Sequence, residues 1–148
     1  MDRQAAIETI LDHYESPRNR GKLADADVAM PGGNPGCGDI VTIYLKVDRD
    51  SDRVESVTFE GRGCTISQAA ASILTELVDH AALSDVDSMD YTAMMDILGR
   101  EVAQTRPRCA TLALGTLKAA VKKYRSDRVR EAHGLEPQQD PQMDHFEL

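Results

Sequence analysis

The stretch Ile40–Asp48, IVTIYLKVD, alternates apolar and polar side chains and therefore predicts a half-buried β-strand. Its apolar side chains share one face: Val41, Ile43, Leu45 and Val47. After a polar turn at 49–53 the alternation resumes over 54–60, so we expect the two runs to pair as an antiparallel hairpin. The second alternation slips between Val54 and Val57, which predicts a β-bulge there.

Working outward from this hairpin, the apolar period changes to that of helices. Helical spacing occurs at 2–15, 66–78, 84–98 and 109–124. A capping box of Ser84 with Asp87 is expected to open the third helical region, and Gly99 is expected to end it. Strands early in the chain and helices late in it indicate an α+β fold, a small antiparallel sheet of about three strands covered on one face by helices.

The segments between these elements are polar or rich in turn residues. Residues 18–27 are expected to form a polar linker, 30–39 a run of turns, and 100–108 a polar connection. We expect a domain over residues 1–125 and a polar, flexible tail over 126–148.

Composition limits the classes of function. The chain has 148 residues, the length of one domain, and 25 acidic against 17 basic side chains leave a net charge of −8. Such a charge repels phosphates and anionic headgroups, so we expect neither nucleic-acid nor membrane binding. No apolar run is long enough to span a bilayer, and the first residues lack the layout of a secretory signal, so a cytoplasmic location is expected.

The three cysteines stand where elements are expected to begin, Cys37 before a strand and Cys64 and Cys109 before helices. The end of a helix that carries unpaired N–H groups favours a thiolate. Glycines beside Cys37 and Cys64 allow the backbone to approach a sulfur or a bound cluster closely. Asp39, two residues after Cys37, is placed to supply a fourth ligand.

Three thiolates and one carboxylate carry a charge of about −2 together with either Zn²⁺ or a [2Fe–2S]²⁺ core. Arg62, Arg106 and Arg108, within three residues of Cys64 or Cys109, are candidates to compensate that charge. A hard carboxylate in place of a fourth thiolate should hold iron or zinc less firmly, which suits a site that releases its contents.

Structural alternatives remain open for these residues. The cysteines could be small buried hydrophobes or hold a purely structural zinc ion, and Asp39 could cap a turn. Each arginine taken alone could be a solvated surface charge. The four histidines show no ligand spacing and are expected on helix surfaces or in the tail.

Four motifs then carry a resemblance that runs from about residue 5 to residue 125. They are His13-Tyr14 followed by Pro17-Arg18-Asn19 and Gly21, then Gly33–Asp39 (GNPGCGD), Gly61–Ala69 (GRGCTISQA) and Arg106–Leu112 (RPRCATL). In this order they resemble the iron–sulfur scaffold family that comprises IscU, SufU and the N-terminal domain of NifU. The resemblance implies a SufE/NifU-like α+β fold and a solvent-facing site formed by Cys37, Asp39, Cys64 and Cys109.

The chain also departs from both branches of that family. IscU-like members have a histidine before the third cysteine, where this chain has Arg108, and their chaperone-docking segment is replaced by Ala103–Arg108, which argues against a dedicated chaperone. SufU proteins carry an insertion between the second and third cysteines, for which this chain has no room.

The resemblance leaves two functions. In the first, a cysteine desulfurase of the IscS or SufS type delivers sulfur, a transient [2Fe–2S] cluster forms on the four ligands, and the cluster passes to apo iron–sulfur proteins. In the second, the same residues hold Zn²⁺ and the protein is a sulfurtransferase of the SufU type that carries persulfide sulfur onward. Cys37 and Cys109 are the candidate sulfur acceptors in both. The missing insertion favours the scaffold, whereas Arg106 and Arg108 near the third cysteine favour the sulfur carrier.

Overall fold

The computed structural model describes residues 2–34 and 38–136, with Asn34 described by its backbone alone. In chain order the elements are α1 (Arg3–Glu15), β1 (Val28–Asn34), β2 (Asp39–Asp48), β3 (Arg53–Arg62), α2 (Thr65–Leu77), α3 (Leu83–Ser88), α4 (Tyr91–Leu98), α5 (Arg100–Ala103) and α6 (Pro107–Ala132).

The sheet has three antiparallel strands in the order β1-β2-β3, so the predicted hairpin β2–β3 forms and the α+β fold is confirmed. Burial alternates strictly along β2, with the predicted apolar face inside. Lys46 pairs with Ser56 and Val47 with Val54, which leaves Glu55 as an extra residue in β3. The predicted bulge is therefore confirmed.

Strand β1 occupies part of the segment that we predicted to be turns, so that prediction is wrong for residues 30–34. Its sequence, VAMPGGN, is dominated by residues typical of turns, but an edge strand tolerates proline. Gly32 is required by packing, because a Cβ atom there would lie 2.0 Å from Oγ1 of Thr116 in α6.

The helices cover the buried face of the sheet, and their apolar residues join the strands in one core. Helix α6 packs against β1, β2 and α2, and α1 packs against α2. In the described part of the chain, no helix combines the length and apolar character needed to cross a membrane.

Two helix predictions need correction. The third helical region divides into α3 and α4, and Asp90 caps α4 by accepting the N–H of Thr92, whereas Ser84 and Asp87 form no capping box. Gly99 ends α4 with a φ of +90°, as predicted, but part of the expected polar connection after it is the short helix α5.

Helix α6 continues beyond the boundary that we placed at residue 125. Its last seven residues, 126–132, are helical and belong to the segment expected to be a flexible tail. Lys123 and Asp127 form a largely buried ion pair of 2.7 Å there, which favours continuation of the helix. Residues 137–148 of the tail lie outside the described residues.

Candidate metal centre

Three of the predicted ligands converge at one end of the sheet. Asp39 is the first residue of β2, and because the strands are antiparallel, the start of β2 lies beside the end of β3, where Ile40 pairs with Arg62. Cys64 follows β3 by two residues and caps α2. Helix α6 begins at Pro107 and brings Cys109, in its first turn, to the same place.

The candidate ligand atoms of Asp39, Cys64 and Cys109 all lie within 4.8 Å of one another. Asp39 holds them together, since its Oδ1 accepts the backbone N–H of Cys64 at 2.8 Å and its Oδ2 accepts the thiol of Cys109 at 2.6 Å. Asp39 and Cys109 are buried, with 2% and 3% of their surfaces exposed, whereas Cys64 is half-buried. Of the three residues, Cys64 is therefore the most accessible to solvent.

The cap of α2 explains the position of the Cys64 side chain. Its Sγ accepts the N–H of Ser67 at 3.4 Å, three residues into the helix, as the oxygen of a serine cap would. Ser67 in turn donates from its hydroxyl to the carbonyl of Cys64 at 3.0 Å, and the Gln68 amide donates to that hydroxyl at 3.3 Å. The sulfur thus lies at the positive end of the helix dipole.

Gly63 makes the close approach of these groups possible. Its φ is +142°, which L side chains rarely adopt, and a Cβ atom there would lie 2.2 Å from Oδ1 of Asp39. The glycine between β3 and Cys64 is needed for both reasons.

The donor set fits a thiophilic metal. Zinc–sulfur bonds are about 2.3 Å long, so two thiolates on one ion lie at most about 4.6 Å apart. A spread of up to 4.8 Å among the three atoms is thus close to what a shared ion requires. Two sulfurs with one carboxylate are donors for Zn²⁺ or iron, and three protein ligands leave room for one more.

The remaining predicted site residues are placed differently. Cys37 lies outside the described residues, so its part in the centre stays a prediction. Arg62, Arg106 and Arg108 are exposed at the end of β3 and the start of α6, and they form no ion pair with any residue that the structure describes. They are near the cysteines in sequence, and their role in compensating charge also stays a prediction.

Sequence reasoning missed two residues around Cys64 and misplaced one histidine. Ser67 and Gln68 support the cap, and the spacing of a serine three residues after a cap residue could have indicated this. His13, expected on a helix surface, is 9% exposed and its Nδ1 lies 2.8 Å from the hydroxyl of Ser72. Burial lowers the pKa of His13 below its usual value.

A three-stranded antiparallel sheet backed by helices, with two thiols and a carboxylate gathered at its end, defines a small α+β protein with a candidate metal centre. The chain belongs to the family of NifU-like N-terminal domains, whose family model matches residues 6–131. The resemblance drawn from the four motifs is thereby confirmed.

Individual relatives fall in both branches of the resemblance. The iron–sulfur cluster assembly scaffold protein IscU of Aquifex aeolicus is 37% identical over 127 residues, which cover 84% of this chain and 80% of that protein. The zinc-dependent sulfurtransferase SufU of Bacillus subtilis is 34% identical over 133 residues, covering 78% and 88%. A crystal structure of a nitrogen-fixing NifU-like protein (N-terminal) from Brucella abortus matches 80% of this chain and 93% of that one, with a TM-score of 0.70 and 19% identity, and thus shows the same fold.

Proposed function

We propose that this protein is an iron–sulfur cluster assembly scaffold that receives sulfur from a cysteine desulfurase and builds a transient [2Fe–2S] cluster. The ligands in this proposal are Cys37, Asp39, Cys64 and Cys109. The observation that carries it is the meeting of Asp39, Cys64 and Cys109 within 4.8 Å at an end of the sheet. The similarity to IscU of Aquifex aeolicus supports the same function.

The geometry around Asp39 favours temporary cargo over permanent storage. Its carboxylate is bonded on one oxygen to the Cys64 N–H and on the other to the Cys109 thiol. The bond to the Cys64 N–H competes with coordination of a metal by Oδ1, and the bond to the Cys109 thiol must break when that sulfur becomes a thiolate ligand. Because a carboxylate is also a hard ligand, we expect Asp39 to hold iron weakly and to release it readily.

In this proposal cluster assembly requires transfer of sulfur to the protein and then reduction of that sulfur to sulfide. A thiolate of Cys37 or Cys109 attacks the terminal sulfur of the desulfurase persulfide, the sulfur–sulfur bond of that persulfide breaks, and the desulfurase thiolate leaves. Each sulfane sulfur then needs two electrons to become sulfide, so assembly requires an external reductant beside iron. Arg62, Arg106 and Arg108 are exposed and can offset the charge of about −2 on the loaded site.

A second candidate function is supported by the similarity to SufU of Bacillus subtilis. In that function the same residues would hold Zn²⁺, and zinc would stabilise a cysteine as the thiolate, the form that attacks a persulfide. Arg106 and Arg108, which are exposed and near Cys109 in sequence, would attract an anionic persulfide. Sulfur would then be carried onward by thiol exchange without cluster assembly.

Anaerobic reconstitution distinguishes the two functions. The full-length protein is incubated with iron, cysteine, a cysteine desulfurase and a thiol reductant, and sulfide-to-iron charge-transfer bands are followed in the visible spectrum. Bands that appear and then decay on addition of an apo-ferredoxin support the scaffold. A colourless protein that retains zinc and accelerates desulfurase turnover supports the sulfurtransferase instead.

Variants test the ligand set in the same assay. Cys37→Ser, Cys64→Ser and Cys109→Ser should each abolish most of the absorbance. The matched control is His80→Ala, because His80 is exposed and lies in the turn after α2, so this variant should assemble a cluster like the wild type. Normal assembly in any one cysteine variant would remove that residue from the proposed ligands.

A further inference from the structure

A cavity of about 350 Å³ opens beside the candidate metal centre and is lined in part by Gly63, which is close to Asp39. Its floor includes the buried residues Phe59 and Gln68, and its rim includes the exposed side chains of Tyr14, Arg20 and Arg62. The volume is in the lower part of the range of small-molecule sites. Nothing in the proposed cluster chemistry uses Arg20 or Tyr14.

The segment that presents Arg20 is held in an uncommon conformation. Arg20 lies between Asn19, with a φ of +57°, and Gly21, with a φ of +142°. Two backbone bonds fix these neighbours to β3, from the Phe59 N–H to the Asn19 carbonyl at 3.0 Å and from the Gly21 N–H to the Phe59 carbonyl at 2.8 Å.

The same segment is also bonded to α2. The N–H of Arg18 donates to the hydroxyl of Ser72 at 2.8 Å, and the amide of Asn19 donates to the hydroxyl of Thr75 at 3.2 Å. Strained backbone that is bonded from two sides is characteristic of positions that present a functional group. The Arg20 backbone is therefore fixed where its guanidinium reaches the cavity, 3.5 Å from the Gly61 carbonyl.

The charged side chains among the described lining residues are Arg20 and Arg62. None of the lining residues that the structure describes is acidic, and neither Arg20 nor Arg62 forms an ion pair with a described residue. In a chain with a net charge of −8, these two guanidinium groups give the cavity a local positive charge that can attract an anion. The Tyr14 hydroxyl is a further hydrogen-bond donor at the cavity. The Gln68 amide is another, because only one of its two N–H groups donates to Ser67.

We propose that this cavity binds a small organic monocarboxylate, with its carboxylate between Arg20 and Arg62. The apolar surfaces of Pro17 and Phe59 suit a short carbon chain better than an inorganic anion. A single negative charge is also less repelled by the acidic protein than a multiply charged phosphate. A plain carboxylate and a carboxylate that also bears a thiol would both bind the two arginines in this way. Because Gly63 in the cavity wall is next to Cys64, the thiol of a thiol-bearing carboxylate could also reach the metal centre.

The test is a titration of the full-length, ¹⁵N-labelled protein followed by NMR, without metal and again with one equivalent of zinc. Propionate should shift the backbone resonances of Gly61, Gly63 and Gln68 saturably in the millimolar range, and propionamide, which has the same shape without charge, should not. Arg20→Gln and Arg62→Gln should each weaken binding about tenfold or more, because each removes a charge-assisted hydrogen bond. Arg3→Gln, at an exposed arginine paired with Glu101, is the control and should bind like the wild type.

A comparison of propionate with 3-mercaptopropionate identifies the source of the ligand. Equal affinities with and without zinc indicate a plain carboxylate, and tighter binding of the thiol to the zinc-loaded protein indicates a thiol-bearing one. Equal shifts with propionamide, shifts confined to other residues, or unchanged affinity in both arginine variants would overturn the proposal. Because the metal-free titration needs no cluster, a failure of cluster assembly leaves its result unaffected.

Discussion

Gly63 shows how much a single position can decide at this centre. A side chain there would meet both an unfavourable φ of +142° and Oδ1 of Asp39. Gly21 has the same φ, but no heavy atom lies within 4 Å of where its Cβ would be. A substitution at Gly21 therefore introduces backbone strain alone, whereas one at Gly63 introduces both strain and contact with the Asp39 carboxylate.

We expect Gly63→Ala to lose most of its metal retention and Gly21→Ala to keep it. Both variants should lose stability, by about 1–3 kcal/mol for the backbone strain, but only the alanine at 63 displaces Asp39. Zinc content after gel filtration and urea denaturation measure the two effects. Equal zinc content in the two variants would show that contact with Asp39 is unimportant for binding.

Asp39 is expected to control the lifetime of the bound cluster. Asp39→Ala removes a weak hard ligand, so cluster transfer to an apo-ferredoxin should become severalfold slower. It also leaves the Cys64 N–H without its acceptor, at a cost of about 1–3 kcal/mol in stability. Asp39→Asn restores an acceptor oxygen without the charge and should recover the stability while transfer stays slow.

The decay of the charge-transfer band in the presence of the apo-ferredoxin measures this lifetime. Faster loss of the cluster in Asp39→Ala than in the wild type would mean that the carboxylate holds the cargo rather than easing its release.

At the scale of elements, α1 and α2 are joined by a buried polar contact that also holds the segment after α1. The Ser72 hydroxyl accepts the N–H of Arg18, so its own hydrogen is available to Nδ1 of His13 at 2.8 Å. The other ring nitrogen of His13 lies 3.7 Å from the carboxylate of Glu76. A neutral imidazole with its hydrogen on Nε2 satisfies both neighbours.

This contact should make stability depend on pH near neutrality. Burial first, and then the charge of Arg18, lower the pKa of His13 from 6.5, while Glu76 and Asp12 oppose this. The unfolded chain therefore binds a proton before the folded one does, so the contribution is complete above pH 6.5 and is lost as the pH falls through the folded pKa.

Urea denaturation at a series of pH values from neutral down to the onset of carboxylate titration measures this dependence. His13→Gln cannot titrate and should flatten the profile in that window, and His80→Gln, at an exposed histidine, should not. Parallel profiles for wild type and His13→Gln would contradict the assigned pKa direction.

For the molecule as a whole, the centre lies at the edge of the hydrophobic core. The core consists mainly of apolar residues from the sheet and the helices and includes neither Asp39 nor Cys64, whereas Cys109 is buried beside it. The fold should therefore persist when metal is removed, although bound metal adds stability by mass action.

We expect chelation of zinc to leave the far-ultraviolet circular dichroism unchanged and to lower the Tm. At a free zinc concentration of about 100 times Kd the loss is about 2.7 kcal/mol, which for a chain of this size corresponds to about 5–10 °C. Cys109→Ser should show little difference in Tm with and without zinc. Loss of helical signal on chelation would mean that the metal holds the fold together.

Strictly periodic segments were predictable because their period is a local property. The alternation in β2 and β3, including the extra residue at Glu55, was readable from the chain, as was the position of Gly99 at a helix end. Strand β1 was not predictable, because Pro31 and two glycines are typical of turns. Gly32 is needed there because Thr116 of α6 packs against it, which the sequence does not show.

The sequence by itself determined the α+β class, the pairing of β2 with β3 and, through its four motifs, the family. It also placed Cys64 and Cys109 at the starts of helices, since caps and periods depend on neighbouring residues. The tertiary structure alone decided that Asp39 bonds both of them, that His13 is buried, and that Arg20 and Arg62 share a cavity. The reason is physical: Asp39 and Cys109 are 70 residues apart, and contacts across such separations arise from packing of whole elements, which no local pattern contains.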